Sequence, residues 1–119
     1  MTEEKQKQLI AGIKKNKKGF VLFASLNDQI VGLVTCFVNF STFKAKPYLN
    51  IHDVIVFKEF RGIGIGRELM EKCIKIAKKR DYCKITLEVR DDNFSALKLY
   101  KSLGFDDTVP VMHFWTKIL

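Results

Sequence analysis

Apolar residues recur along this chain in two rhythms, and the alternation between them predicts the elements. Over residues 3–17, Leu9, Ile10 and Ile13 stand among charges at a spacing that suits a helix. Gly19 is placed to end it. Residues 20–25 read as a strand, followed by the turn pair Asn27-Asp28. Residues 30–40, rich in Val, Thr and Phe, predict a second strand folding back as a hairpin, and 41–48, with Lys44, Lys46 and Pro47, a loop. Residues 49–57 predict the next strand, with Val54, Ile55 and Val56 as its apolar centre. From about 65 to 80 the helical rhythm returns, with Leu69, Met70, Cys73, Ile76 and Ala77 on one face. Residues 84–89 read as a strand. Asp91-Asp92-Asn93 reads as a turn and helix start, with Asn93 or Asp92 as cap. The helix of residues 94–103 stops at Gly104, and 111–118 predict a last strand.

The expected order is α-β-β-β-α-β-α-β. Three strands joined by hairpins are followed by a β-α-β unit, whose crossover makes its strands parallel. That is an α+β fold with a mixed central sheet, and 119 residues suffice for one domain and not two. A domain this small buries little surface, so pairing with a second copy is expected. No apolar run approaches the ~18–20 residues of a membrane span. The charged start, Met-Thr-Glu-Glu-Lys-Gln-Lys-Gln, has no signal-peptide core, so the sequence predicts a soluble cytoplasmic protein. Cys36, Cys73 and Cys83 are widely separated, with no zinc-ligand spacing, and read as buried thiols in a reducing compartment with no metal.

The net charge of +8 raises the question of nucleic acid. Lys14, Lys15, Lys17 and Lys18 form one basic cluster, and Lys72, Lys75, Lys78, Lys79 and Arg80 another. The second follows a helical pattern as a solvated face would, without the interleaved aromatics that stack bases. Nucleic acid is therefore not expected as the main partner. A ligand carrying several phosphates accounts for the excess as well.

The strongest local signal is Arg61-Gly62-Ile63-Gly64-Ile65-Gly66-Arg67, lying between a strand and a helix. Glycine lets a backbone turn tightly and lets a ligand approach, and a helix start offers free N–H groups to an anion. A P-loop would need Lys-Ser or Lys-Thr after the glycines, and none follows. A dinucleotide fingerprint would need a glycine where Arg67 stands, although Glu88 lies about where its acidic residue would. The bland alternative is a turn that only caps a helix.

The turn does not stand alone. Arg61-Gly62-Ile63-Gly64-Ile65-Gly66 resembles the Arg/Gln-x-x-Gly-x-Gly/Ala element of GNAT N-acetyltransferases. Asn93-x-x-Ala96-x-x-Leu99-Tyr100-x-x-x-Gly104-Phe105 resembles that family's second element. The likeness runs from about residue 20 to the end, and residues 40–56 are most similar to the spermidine/spermine acetyltransferase branch. What the resemblance implies is a GNAT fold splayed around acetyl-coenzyme A (acetyl-CoA), lacking the usual first strand and helix. The backbone of Val54, Ile55 and Val56 would pair with the pantetheine arm. Arg61, Gly62, Ile63, Gly64, Ile65, Gly66 and Arg67 would hold the pyrophosphate, and Asn93 and Ser95 would bound the other side. Tyr100 would protonate the leaving thiolate; without the pattern it would read as a core tyrosine.

The amine must lose a proton, and histidine is competent near neutral pH. In the polyamine branch a Glu-Asp pair sits where this chain has His52 and Asp53. Adjacent strand residues point to opposite faces, so only one of the two is expected to face substrate, and the register chooses His52. Glu88 is the alternative base; His113 has no argument for it. The implied reaction is direct transfer of an acetyl group to a primary amine on a small, polyamine-like molecule, without a thiol intermediate. A non-catalytic acyl-CoA sensor and a nucleic-acid adaptor are the competing readings.

Overall fold

The computed structural model describes residues 2–5, 7–8, 11 and 18–119. Residues 3–5, 7–8 and 11 are helical; Leu9, Ile10 and Ile13, whose spacing predicts that helix, lie outside the described residues. The chain divides into two compact units, Met1–Glu88 and Val89–Leu119.

The first unit is built on a four-stranded sheet whose spatial order follows the sequence: β1 (Gly19–Leu26), β2 (Gln29–Ser41), β3 (Lys46–Val56) and β4 (Ile85–Leu87). The first three pair antiparallel and β3 pairs parallel with β4, as the expected hairpins and crossover require. Asn27 and Asp28 both take the left-handed conformation, with φ of 49° and 65°, which matches a two-residue hairpin to the twist of its strands. The expected loop 41–48 shrinks to four residues, because Ser41 already pairs with Lys46 and Phe40 with Pro47. Pro47, second in β3, has no N–H to give, but its carbonyl accepts from Cys83 N at 3.0 Å, so it is tolerated at the start of the strand.

A single 3-10 turn, Lys58–Phe60, leads into the glycine-rich stretch and then α1 (Ile65–Lys79). Ile65, Leu69, Met70, Cys73 and Ala77 are buried, and the helix packs against β1, β2 and β3. On β2 and β3 it meets a core that includes Cys36 together with Val34, Leu49 and Ile51, each of these three aliphatic side chains contributing about 1.5–3 kcal/mol on leaving water. Lys72, Lys75, Lys78, Lys79 and Arg80 are exposed, the solvated face the pattern predicts. Close approach of the layers is enforced at Gly32, where an added Cβ would lie 2.8 Å from the Ile55 carbonyl oxygen and 3.4 Å from Ile65 Cγ2.

In the second unit, Asn93 Oδ1 accepts from Ala96 N at 3.3 Å and caps α2 (Phe94–Ser102). Gly104, at φ 95°, follows the helix end, and Phe105 N returns to the Tyr100 carbonyl at 3.0 Å. The expected last strand over 111–118 does not form. A strand is stable only when its backbone groups have a ladder partner, and this unit contains no other strand. Val111, Met112, Phe114, Trp115 and Ile118 are all exposed.

Candidate functional site

The glycine turn takes its shape from two positive dihedrals, φ 83° at Gly62 and 93° at Gly64, which cost any other L-residue about 1–2 kcal/mol. A Cβ at either would meet nothing within 4 Å, so these glycines keep open space in front of the backbone. Gly64 is the N-cap of α1 and supplies no side chain to it, while its carbonyl takes Glu68 N at 3.1 Å. The first-turn N–H groups of Ile65 and Gly66 precede any intrahelical acceptor, so the positive end of the helix dipole faces outward. Gly66 itself is an ordinary helical residue. The flanking arginines do more than add charge. Arg61 Nε donates to the Val56 carbonyl at 2.9 Å and ties the turn to the end of β3. Arg67 lies 3.9 Å from Glu71 across one helical turn.

Among the described residues, the edge of β3 leading to this turn has no partner strand. The parallel ladder to β4 holds Leu49, Asn50 and Ile51 and stops there. Beyond it, Phe57 N donates to the Val31 carbonyl, and antiparallel residues alternate in facing their partner, so Ile55 turns its backbone groups toward β2. Val54 and Val56 therefore point theirs at the open edge, with the Val56 carbonyl taken by Arg61. Of the three residues expected to offer backbone to a ligand, Ile55 is the one whose groups face the wrong way.

Where the ladder to β4 stops, β3 bulges. Thr35 pairs with Asp53 but Cys36 with Ile51, leaving His52 as an extra residue. This overturns the expectation that His52 and Asp53 face opposite sides. Gly32 and Cys36 face α1, the latter with its Sγ 3.8 Å from Cys73 Sγ, so Thr35 and Phe37 face away from the helix. His52 sets its ring edge-on to Phe37 at 5.6 Å, and Asp53 Oδ2 accepts from Thr35 Oγ1 at 2.8 Å. Both therefore stand on the face away from α1. The bulge is locked by a small ring of bonds, since Thr35 Oγ1 also accepts from Asp53 N at 3.0 Å. Thr35 is fully buried and carried no signal in the sequence, because a threonine in a strand is ordinary.

On the same face lies a cavity of 420 Å³ lined by Lys18, Phe37, Val38, Asn39, Asn50 and His52. Asn50 Nδ2 donates to Thr86 Oγ1 at 2.9 Å, which orients its amide. Glu88 is exposed, one residue beyond the Ile51–Leu87 pair. The first unit thus contains the glycine turn, the open β3 edge, His52, Asp53 and Glu88. Lys14, Lys15 and Lys17 lie outside the described residues.

Asn93, Ser95 and Tyr100 belong to the second unit. The Asn93 side chain is engaged as the α2 cap, and Ser95 is exposed. Tyr100 is half-buried, its ring 6.1 Å from that of Phe105, and burial pushes its phenol above the ordinary value. A phenol in that state holds its proton and is suited to donate it. His113 is exposed, 6.2 Å from Trp115. Cys36 and Cys73 are buried free thiols, and the hydrogen bond to Cys73, with burial, raises Cys36 well above the thiol range. The same bond pushes the Cys73 thiol down, but Cys73 is as fully buried as Cys36, so neither is exposed to a substrate as a nucleophile. Among the described residues no helix is long and apolar enough to cross a membrane.

Residues 2–105 match the model of the acetyltransferase (GNAT) family. An uncharacterized N-acetyltransferase of Methanocaldococcus jannaschii is 36% identical over 96 residues, covering 80% of this chain and 42% of the relative. A thialysine N-epsilon-acetyltransferase of Bos taurus is 33% identical over 78 residues, covering 66% of this chain and 45% of the relative. The chain thus spans less than half the length of either relative. A solved structure of a probable acetyltransferase superposes with a TM-score of 0.87 at 19% identity, covering 98% of this chain and 78% of the other.

Proposed function

The chain belongs to the acetyltransferase (GNAT) family, and from that membership we propose that it transfers an acetyl group from acetyl-CoA to a primary amine on a small molecule. The observation that carries the reading is the uncapped start of α1 behind Gly62 and Gly64, next to a β3 edge left unpaired past Ile51. A phosphate-bearing chain with an amide-rich arm fits both halves. N–H groups at Ile65 and Gly66 would take the pyrophosphate, and the backbone of Val54 and Val56 would pair with the arm in the manner of an added strand.

Bound acetyl-CoA supplies the activated thioester carbonyl. His52 takes a proton from the attacking amine, with Glu88 as the alternative base. Tyr100, which burial keeps protonated, gives one to the departing sulfur. Cys36 and Cys73 are buried and Cys83 lies outside both motifs, which supports direct attack by the amine in a ternary complex. A polyamine-like acceptor is the choice that the branch resemblance favours. The Bos taurus relative is named for a different amine, that of thialysine.

A homodimer is part of the same proposal. Val111, Met112, Phe114, Trp115 and Ile118 are exposed on a stretch without a ladder partner, and a second copy would cover them.

Initial rates of thiol release with both substrates varied test the reaction. Intersecting double-reciprocal lines are expected; parallel lines would reject direct attack. Tight binding of acetyl-CoA without turnover on any amine would favour the sensor.

A further inference from the structure

We infer that Cys36 and Cys73 are a redox pair, which a small peroxide closes into a disulfide that staples β2 to α1 and shifts the bulge at His52. The two thiols are free and buried, stand on different elements, and have their sulfurs 3.8 Å apart. Neither has a part in the proposed transfer. Their elements are already drawn together. Gly32 lies four residues before Cys36 on β2, and Leu69 lies four before Cys73 on α1. The missing Cβ at Gly32 lets the helix settle there, with Leu69 Cδ1 3.5 Å from where that carbon would stand. Closure from 3.8 Å to about 2.05 Å therefore joins two elements already in contact.

The step balances with one peroxide. The shared hydrogen bond pushes the Cys73 thiol down, so Cys73 ionises first. Its thiolate attacks a peroxide oxygen and breaks the O–O bond, giving a sulfenic acid and hydroxide, which takes up the proton Cys73 released. The Cys36 sulfur then displaces the sulfenic oxygen, which leaves as water with the Cys36 proton. Two thiols and one hydrogen peroxide become one disulfide and two waters. Hydrogen peroxide is little larger than water, and local opening of the helix–sheet layer admits it.

Closure is felt on the opposite face of the sheet. Cys36 stands between Thr35, which holds Asp53 by bonds of 2.8 and 3.0 Å, and Phe37, whose ring meets His52 at 5.6 Å. It is also the residue at which the β2–β3 register shifts. A close-packed layer transmits strain, so drawing Cys36 toward α1 moves both neighbours and the bulge they hold. Displacement of the proposed base is a consequence that rests on the transferase reading; the bond itself does not.

The test treats the whole chain with hydrogen peroxide and then with dithiothreitol. Oxidised protein is expected to show one titratable thiol in denaturant instead of three, and a peptide map joining Cys36 to Cys73. His52 ring resonances are expected to shift on oxidation and return on reduction. Cys36→Ala and Cys73→Ala should each abolish that response, and Cys83→Ala should keep it. Three thiols remaining, oxygen added to separate cysteines, or a bond that draws in Cys83 would overturn the inference. So would a Cys36–Cys73 bond that leaves the His52 resonances unmoved, since the pair would then be a staple and not a switch. None of these readouts needs turnover, so failure of the transferase reading is told apart from failure here.

Discussion

At the scale of single residues the account turns on which side chain keeps or moves a proton. Tyr100→Phe removes only a hydroxyl, so kcat is expected to fall about 10²–10⁴-fold, with acetyl-CoA affinity by calorimetry nearly unchanged. A variant that loses nothing would make Tyr100 a packing residue. Burial raises the phenol, so its proton stays on through the ordinary tyrosine range near ~10, and no alkaline fall in kcat should arise from it below that. For stability the sign follows. Below ~10 the phenol is neutral folded and unfolded; above it the unfolded chain ionises first, so stability drops as pH climbs toward the raised value. Urea melts should show that loss in wild type and not in Tyr100→Phe. In the proposed mechanism Thr35 would act as a positioning residue, since its hydroxyl both gives to Asp53 Oδ2 and takes from Asp53 N and so locks the bulge at His52. Thr35→Val should lower kcat more than it raises KM and change the shape of the pH profile, while Thr35→Ser restores both. A uniform loss tracking stability alone would deny the positioning role. Tyr100 is proposed from its motif, which the sequence carries whole. Thr35 was not legible, because its meaning depends on which residue of β3 lies opposite.

Elements were read well where their signal is local. The amphipathic stripe of α1, the Asn27-Asp28 turn and the Asn93 cap each follow from neighbours within a few residues. The misses came where pairing decides. The bulge at His52 is a register event between β2 and β3, invisible to a period-two reading of β3 alone, and it reverses which face Asp53 shares. Residues 111–118 have the composition of a strand but no ladder partner in their unit. The glycine turn is the element on which the proposed binding depends. Gly64→Ala meets no clash, so its cost is the backbone strain of φ 93°, about 1–2 kcal/mol. A lowered melting temperature and weaker acetyl-CoA binding are expected together. Unchanged affinity would return the turn to a plain helix cap.

For the whole molecule, the family and the mixed sheet were legible because two separated motifs bracket a strand-helix-strand pattern, and residues 2–105 match as one stretch. Assembly was not legible in the same way, since interfaces leave no fixed spacing. Sedimentation should find a dimer that Trp115→Asp dissociates; a wild-type monomer would leave the exposed apolar stretch without the partner assigned to it. The central claim is chemical, and its most direct measurement is a mass balance. The protein is incubated with acetyl-CoA and an amine, and free thiol and acetylated amine are counted together. The account predicts one thiol released for each amine acetylated, at a rate proportional to protein. No acetylated amine above the protein-free control, with acetyl-CoA left intact, would contradict it.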